Sequence, residues 1–227
     1  MSSRAVLFFL LLTSAPALQA ASWASIAAAS TRADDPLLIQ VLRESSLQDS
    51  IDLCSALGAR KDPFVGDIIE SLLQERTGYP QTGAHRADAE LLLRILLAPM
   101  ADTTQPADGR RARVAANQSA VDLILGRLDE LEDPQLIAEL VRMAPVMEPV
   151  SARITLVRVA ARVVGALRAS GGRLDDRYIA LAMDLVSSAT AVGGRDLLEP
   201  LVQISTLARD KAVVDAARQA AQALASG

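Results

Sequence analysis

The chain has 227 residues, 51% of them hydrophobic, which is enough for a sizeable core and too many for a disordered chain. Its 27 acidic and 23 basic residues are spread along the sequence with a formal net charge of −4, and aromatics make up only 3%, so neither an electrostatic footprint for nucleic acid nor base-stacking platforms are present. A single cysteine, Cys54, excludes an internal disulfide and a cysteine metal cluster, and a single histidine, His85, excludes the usual histidine zinc site.

The chain begins MSSRAVLFFLLLTSAPALQAASWAS, with Arg4 near the α-amine, a dense apolar run from Ala5 to Leu12 and small residues afterwards. This is the pattern of a secretory signal peptide over 1–24, with cleavage after Ala20 or Ala24. Pro16, Gln19 and several serines dilute the run below the ~20 apolar residues of a membrane span, so an uncleaved anchor is the weaker reading. A linker over 25–34 follows, and no cysteine near the cleavage region offers a lipid attachment point. The expected location is periplasmic or secreted, with no stable membrane insertion after cleavage.

From 35 to 227 the apolar residues recur at the helical period and nowhere sustain the alternation of a strand, which predicts an all-α domain. Helices are predicted over 36–45, 47–60, 63–76, 85–98, 117–131, 134–144, 150–168, 175–189, 194–208 and 211–225. Their stripes include Leu47, Ile51, Cys54 and Leu57; Val121, Ile124, Leu125 and Leu128; Leu136, Leu140 and Met143; and Ile179, Met183 and Val186. Pro36, Pro63 and Pro134 each follow an aspartate, which suits an N-cap followed by a proline whose missing N–H costs nothing at the first helical position. Gly58, Gly171-Gly172 and Gly193-Gly194 mark helix ends. Short links fold successive helices back antiparallel. The run from Pro99 to Ala116, PMADTTQPADGRRARVAA, breaks this rhythm and reads as an exposed, mobile loop near 99–116 between an N-terminal and a C-terminal block of one domain.

The Asp-Pro restart recurs. Laying Asp133 on Asp62, 71 residues apart, brings Leu128 onto Leu57, Leu136 onto Val65, Leu140 onto Ile69 and Met143 onto Leu72. That offset is about twice the period of ~33 to 47 residues found in helical repeat arrays. The terminal segment DLLEPLVQISTLARDKAVVDAARQAAQAL has a first helix containing Pro200, a turn at Arg209-Asp210, and a second helix in which Arg218 precedes the small residues Ala220, Ala221 and Ala223. It resembles a HEAT repeat, departing from the pattern where Lys211 rather than proline follows Asp210. The resemblance implies an α-α superhelix, a solenoid of about five stacked antiparallel helix pairs, each covering an apolar side its neighbour cannot bury alone. It also implies a protein or peptide partner bound along the array.

Candidate chemical groups are few. Cys54 could be a nucleophile with His85 as base, but Cys54 lies in the apolar stripe of its helix and reads as a core residue. Acidic residues at Asp129, Glu130, Glu132 and Asp133, and at Asp175-Asp176, sit where helix ends favour them, and no calcium-loop pattern surrounds them. No phosphate loop, dinucleotide fingerprint or serine-hydrolase elbow occurs. No cofactor, metal site or catalytic residue is expected. The candidate partner-binding residues are Arg110, Arg111 and Arg113 in the expected loop, and Asp215 and Arg218 on the last helix. The expected function is a non-enzymatic interaction module or scaffold in the cell envelope; the alternative is a small-ligand carrier or enzyme with a groove between helices.

Overall fold

The computed structural model describes residues 93, 94 and 97–226. The chain falls into two compact units, Met1–Leu96 and Leu97–Gly227, and nearly all described residues belong to the second. The signal peptide, the linker, Cys54, His85, the Asp62-Pro63 turn and the helices predicted up to residue 76 lie outside the described residues, as does most of the helix predicted over 85–98.

Among the described residues 82% are helical and none is in a strand. Residues 97–101 are helical, followed by α1 (Ala107–Ala116), α2 (Gln118–Gly126), α3 (Pro134–Met143), α4 (Pro149–Ala169), α5 (Asp176–Val192), α6 (Leu198–Leu207) and α7 (Lys211–Ser226). Single 3-10 turns occur at Leu128–Glu130, Ala144–Val146 and Arg195–Leu197. The five helices predicted from residue 134 onward fall on α3 to α7, while the helix predicted over 117–131 breaks at Arg127 into α2 and a 3-10 turn.

Local signals explain the starts and stops. Asp133 Oδ1 accepts the Gln135 N–H at 2.9 Å with Pro134 as the first helical residue. Glu148, Asp175 and Asp210 accept the N–H groups of Ser151, Tyr178 and Val213 at 2.9, 2.9 and 3.0 Å. Each satisfies a helix N-terminal donor that would otherwise need water. α4 ends in a Schellman turn: the Gly172 N–H reaches Leu167 O at 2.7 Å and Gly171 N–H reaches Arg168 O at 3.4 Å, with Gly171 at φ +63°. Gly172, at φ +88°, then accepts the Arg209 N–H at 2.9 Å, and a Cβ there would stand 2.3 Å from Leu207 O. This second glycine therefore lets the end of α4 touch the end of α6.

The expected loop over 99–116 is the main correction. Only 102–106 is irregular; Ala107–Ala116 is helix. Loop-favouring residues are concentrated in the first part, where the Asp102 carboxylate accepts from Thr104 N–H (3.0 Å), Thr104 Oγ1–H (2.6 Å) and Gln105 Nε2–H (3.0 Å), and those bonds hold its pKa down. The second part is rich in alanine and arginine, both strong helix formers, and Val114 is buried.

From α3 onward the helices form two layers. α3 packs on α5 and α5 on α7; α4 packs on α6; α4–α5 and α6–α7 contacts join the layers. Leu136, Leu140 and Met143 of α3, Leu181 and Leu185 of α5, and Val213 and Ala217 of α7 fill one line of core, with Leu156, Val163, Leu167, Leu201 and Ile204 facing them from α4 and α6. Full burial of each large aliphatic stabilises the fold by about 1.5–3 kcal/mol. α5 differs from its predicted stripe. Leu181, Ala182, Leu185, Ser188 and Ala189 are buried along with Val186, whereas Ile179 is half-buried and Met183 is exposed. Because α5 touches α3, α4 and α7, its buried arc is centred elsewhere than on a single apolar stripe.

Candidate functional site

The three loop arginines do not form one patch. Arg110 on α1 is buried; its Nε donates to Met100 O and its Nη2 to Arg142 O, both at 2.7 Å. Those carbonyls belong to the helical stretch 97–101 and to the last turn of α3, where orphan acceptors and the negative helix end favour a cation. Burial lowers the Arg110 pKa, and nearby Asp102 partly offsets that. Arg110 is a tie between segments, where the sequence suggested a free grip on a mobile loop. Arg111 is exposed and pairs with Asp108 at 3.2 Å, one turn back on the same helix. Arg113 is half-buried, and its carbonyl accepts from Asn117 Nδ2 at 2.8 Å.

Asp215 and Arg218 come together on α7, 3.8 Å apart, with both side chains solvated. Such a pair contributes a few tenths of a kcal/mol. The acidic residues around 130 are divided among separate partners. Asp129 receives both Arg158 Nη2–H (2.7 Å) and Nε–H (3.3 Å), Glu130 pairs with Arg127 at 2.8 Å, and Asp133 caps α3. The Arg158 hydrogen bonds are the main cause of the lowered Asp129 pKa. Arg158 Nη1 also donates to Leu125 O at 2.7 Å, joining α4 to the end of α2. Among the described residues no three histidine, cysteine or acidic side chains converge on a possible metal position.

Two features were not visible in the sequence. One is an open cleft of about 210 Å³ lined by Ala98, Ala101, Asp102, Thr103, Glu139 and Arg142, beside which Arg142 Nη1 meets Asp184 Oδ2 at 2.7 Å. Its residues come from 97–103 and α3, which only tertiary packing brings together. The other is an aliphatic outer face on α4 and α6. Val150 (51% exposed) and Ile154 (54%) are one turn apart on α4, and Val202 of α6 is 46% exposed. Ala161 and Gly165 continue the α4 line and are exposed. Arg153 lies against the Gly194 turn and Arg168 Nη2 donates to Gln203 Oε1 at 3.0 Å. α4 and α6 therefore run in the same direction, with Val202 between these two points. The hydrophobic period could not reveal this face, because isoleucine and valine on α4 occur on both its buried and its exposed sides.

No helix among the described residues is long and apolar enough to cross a membrane. No family model matches the chain, and no curated protein or solved structure matches it significantly.

Proposed function

We propose that this chain is an exported, non-enzymatic α-helical repeat protein of HEAT-like design that binds a protein or peptide partner as an interaction module or scaffold in the cell envelope. The observation that carries the reading is the combination of two helix layers with contacts from each helix to the next but one, and aliphatic side chains left on the outer side of one layer. Contacts of this kind are how a solenoid covers its hairpins, and each added pair extends a surface rather than closing a core. The Asp-Pro restarts and the signal-like N-terminus supply the repeat and export parts of the proposal.

In-cell crosslinking of the tagged full-length protein, followed by mass spectrometry, tests it. One stoichiometric envelope protein linked through one helix layer is the expected result. A clean preparation without a partner, together with thermal stabilisation by a small metabolite, would replace it with the ligand-carrier reading. The specific observation behind that second reading is the cleft beside Arg142, whose roughly 210 Å³ falls short of the ~300–1,000 Å³ of typical ligand pockets.

A further inference from the structure

The geometry points to the outer face of α4, extended by Val202 of α6, as the docking site for an amphipathic helix of a partner protein whose flanks are acidic. This rests on the protein-binding reading above and specifies its surface and the partner's chemistry. Along α4, Val150, Ile154, Ala161 and Gly165 recur at helical spacing on the exposed side, so the line from Val150 to Gly165 is roughly 22 Å long at 1.5 Å per residue. The bulky end gives a partner apolar area. The small end lets its backbone come close, as ridge-and-groove helix packing requires.

Charge selects the partner. The 21 residues of α4 include Arg153, Arg158, Arg162 and Arg168 and no acidic residue. Of these four arginines only Arg158 has an ion pair within 4 Å among the described residues, with Asp129. Nearby acids offset these cations only in part: Glu148, which caps α4 through Ser151 N–H, attracts Arg153, Asp129 attracts Arg162, and Glu199 accepts from Gln203 Nε2. Asp196 lies close to the Arg153 aliphatic stem beside Gly194 without forming a pair. Arg153, Arg162 and Arg168 therefore border the aliphatic line with cations that have no close carboxylate partner, and carboxylates on a partner helix would neutralise them. An anionic membrane offers the same charge, but the face carries none of the Trp, Tyr or Phe that anchor interfacial helices, and its apolar side chains are short.

The test uses the full mature chain and two synthetic helices of about 18 residues, each with a leucine stripe, one flanked by glutamates and one by lysines, in a fluorescence anisotropy titration. The glutamate helix should bind at least about tenfold more tightly than the lysine helix. Ile154→Asp should weaken it by about tenfold or more, and the combined Arg153→Glu, Arg162→Glu and Arg168→Glu variant should invert the preference. Unchanged thermal melts would verify that these surface variants fold. Equal affinity for both helices, or indifference to Ile154→Asp, would overturn the proposal, as would Ile154-dependent binding to phosphatidylglycerol vesicles with no peptide binding. Photocrosslinkers at Ile154 and at Met183 separate this proposal from the broader one. Partner crosslinks from Met183 alone would remove this face and keep protein binding, and crosslinks from neither, with no partner captured by in-cell crosslinking of the whole protein, would remove both.

Discussion

Residues 134–226 and residues 97–133 are both helical and both bury aliphatic side chains, but the polar ties between their elements differ. In the first region five helices bury aliphatic side chains on their facing surfaces, and the N-termini of four of them are capped locally by Asp133, Glu148, Asp175 and Asp210. In the second, Leu97, Met100, Val121, Ile124 and Leu128 are buried as well, and guanidinium groups also reach backbone carbonyls: Arg110 to Met100 O and Arg142 O, and Arg158, from α4, to Leu125 O. Helices of nine or ten residues have little intrinsic stability, so hydrogen bonds to the end carbonyls of α2 and α3 add to what packing supplies. Aliphatic packing is thus common to both regions, and arginine-to-carbonyl ties distinguish how 97–133 is attached.

Substitutions can break or sharpen this contrast. The largest effect is expected in residues 134–226: Leu185→Ala empties a fully buried position on the helix that touches three others, and should cost about 3 kcal/mol, lowering Tm by roughly 6–12 °C in a thermal melt. Arg110→Ala should cost about 2–3 kcal/mol, because it leaves two inward-facing carbonyls without a donor. Its signature is regional. Hydrogen exchange should rise in 97–116 and at the end of α3 before it rises in α5 to α7, and a uniform rise would erase the distinction between the regions. Arg110→Lys should rescue little, since an ammonium cannot reproduce the fork of two donors.

Smaller effects come from the helix ends. Gly172→Ala should destabilise by more than about 2 kcal/mol and Gly171→Ala by about 1 kcal/mol in urea titrations: both require positive φ, but only at Gly172 would a Cβ also strike Leu207 O. Asp133→Ala should cost about 1 kcal/mol through loss of the α3 cap. The least effect, under about 1 kcal/mol, is expected for Arg158→Gln, a partly solvated tie. That variant has a clearer readout in pH. Asp129 in the folded chain titrates below the ordinary carboxylate value of about 3.9, so its contribution is fully present above that value and is lost as pH falls through the lower folded-state value. Arg158→Gln should move the Asp129 titration upward by NMR and remove that part of the acid dependence.

Helix identity and the starts of α3, α4, α5 and α7 were legible in the sequence, because periodicity, capping acids and glycine stops act within one or two turns of chain, whereas α6, predicted from 194, starts at Leu198 after a 3-10 turn. The same local signals went astray over 99–116, where Asp102, Thr104 and Pro106 correctly announced a loop but the alanines and arginines after them resumed a helix. Tertiary structure alone decided that Arg110 points inward while Arg111 meets solvent, that Met183 falls outside the buried arc of α5, and that Val150 and Ile154 remain exposed on a helix whose other side is equally aliphatic. Each of those outcomes depends on contacts between a helix and neighbours not adjacent to it in sequence, such as α3 with α5 or α4 with α6. A side chain's residue type sets what it can bind, whereas the helix packed against it sets whether it is free to do so.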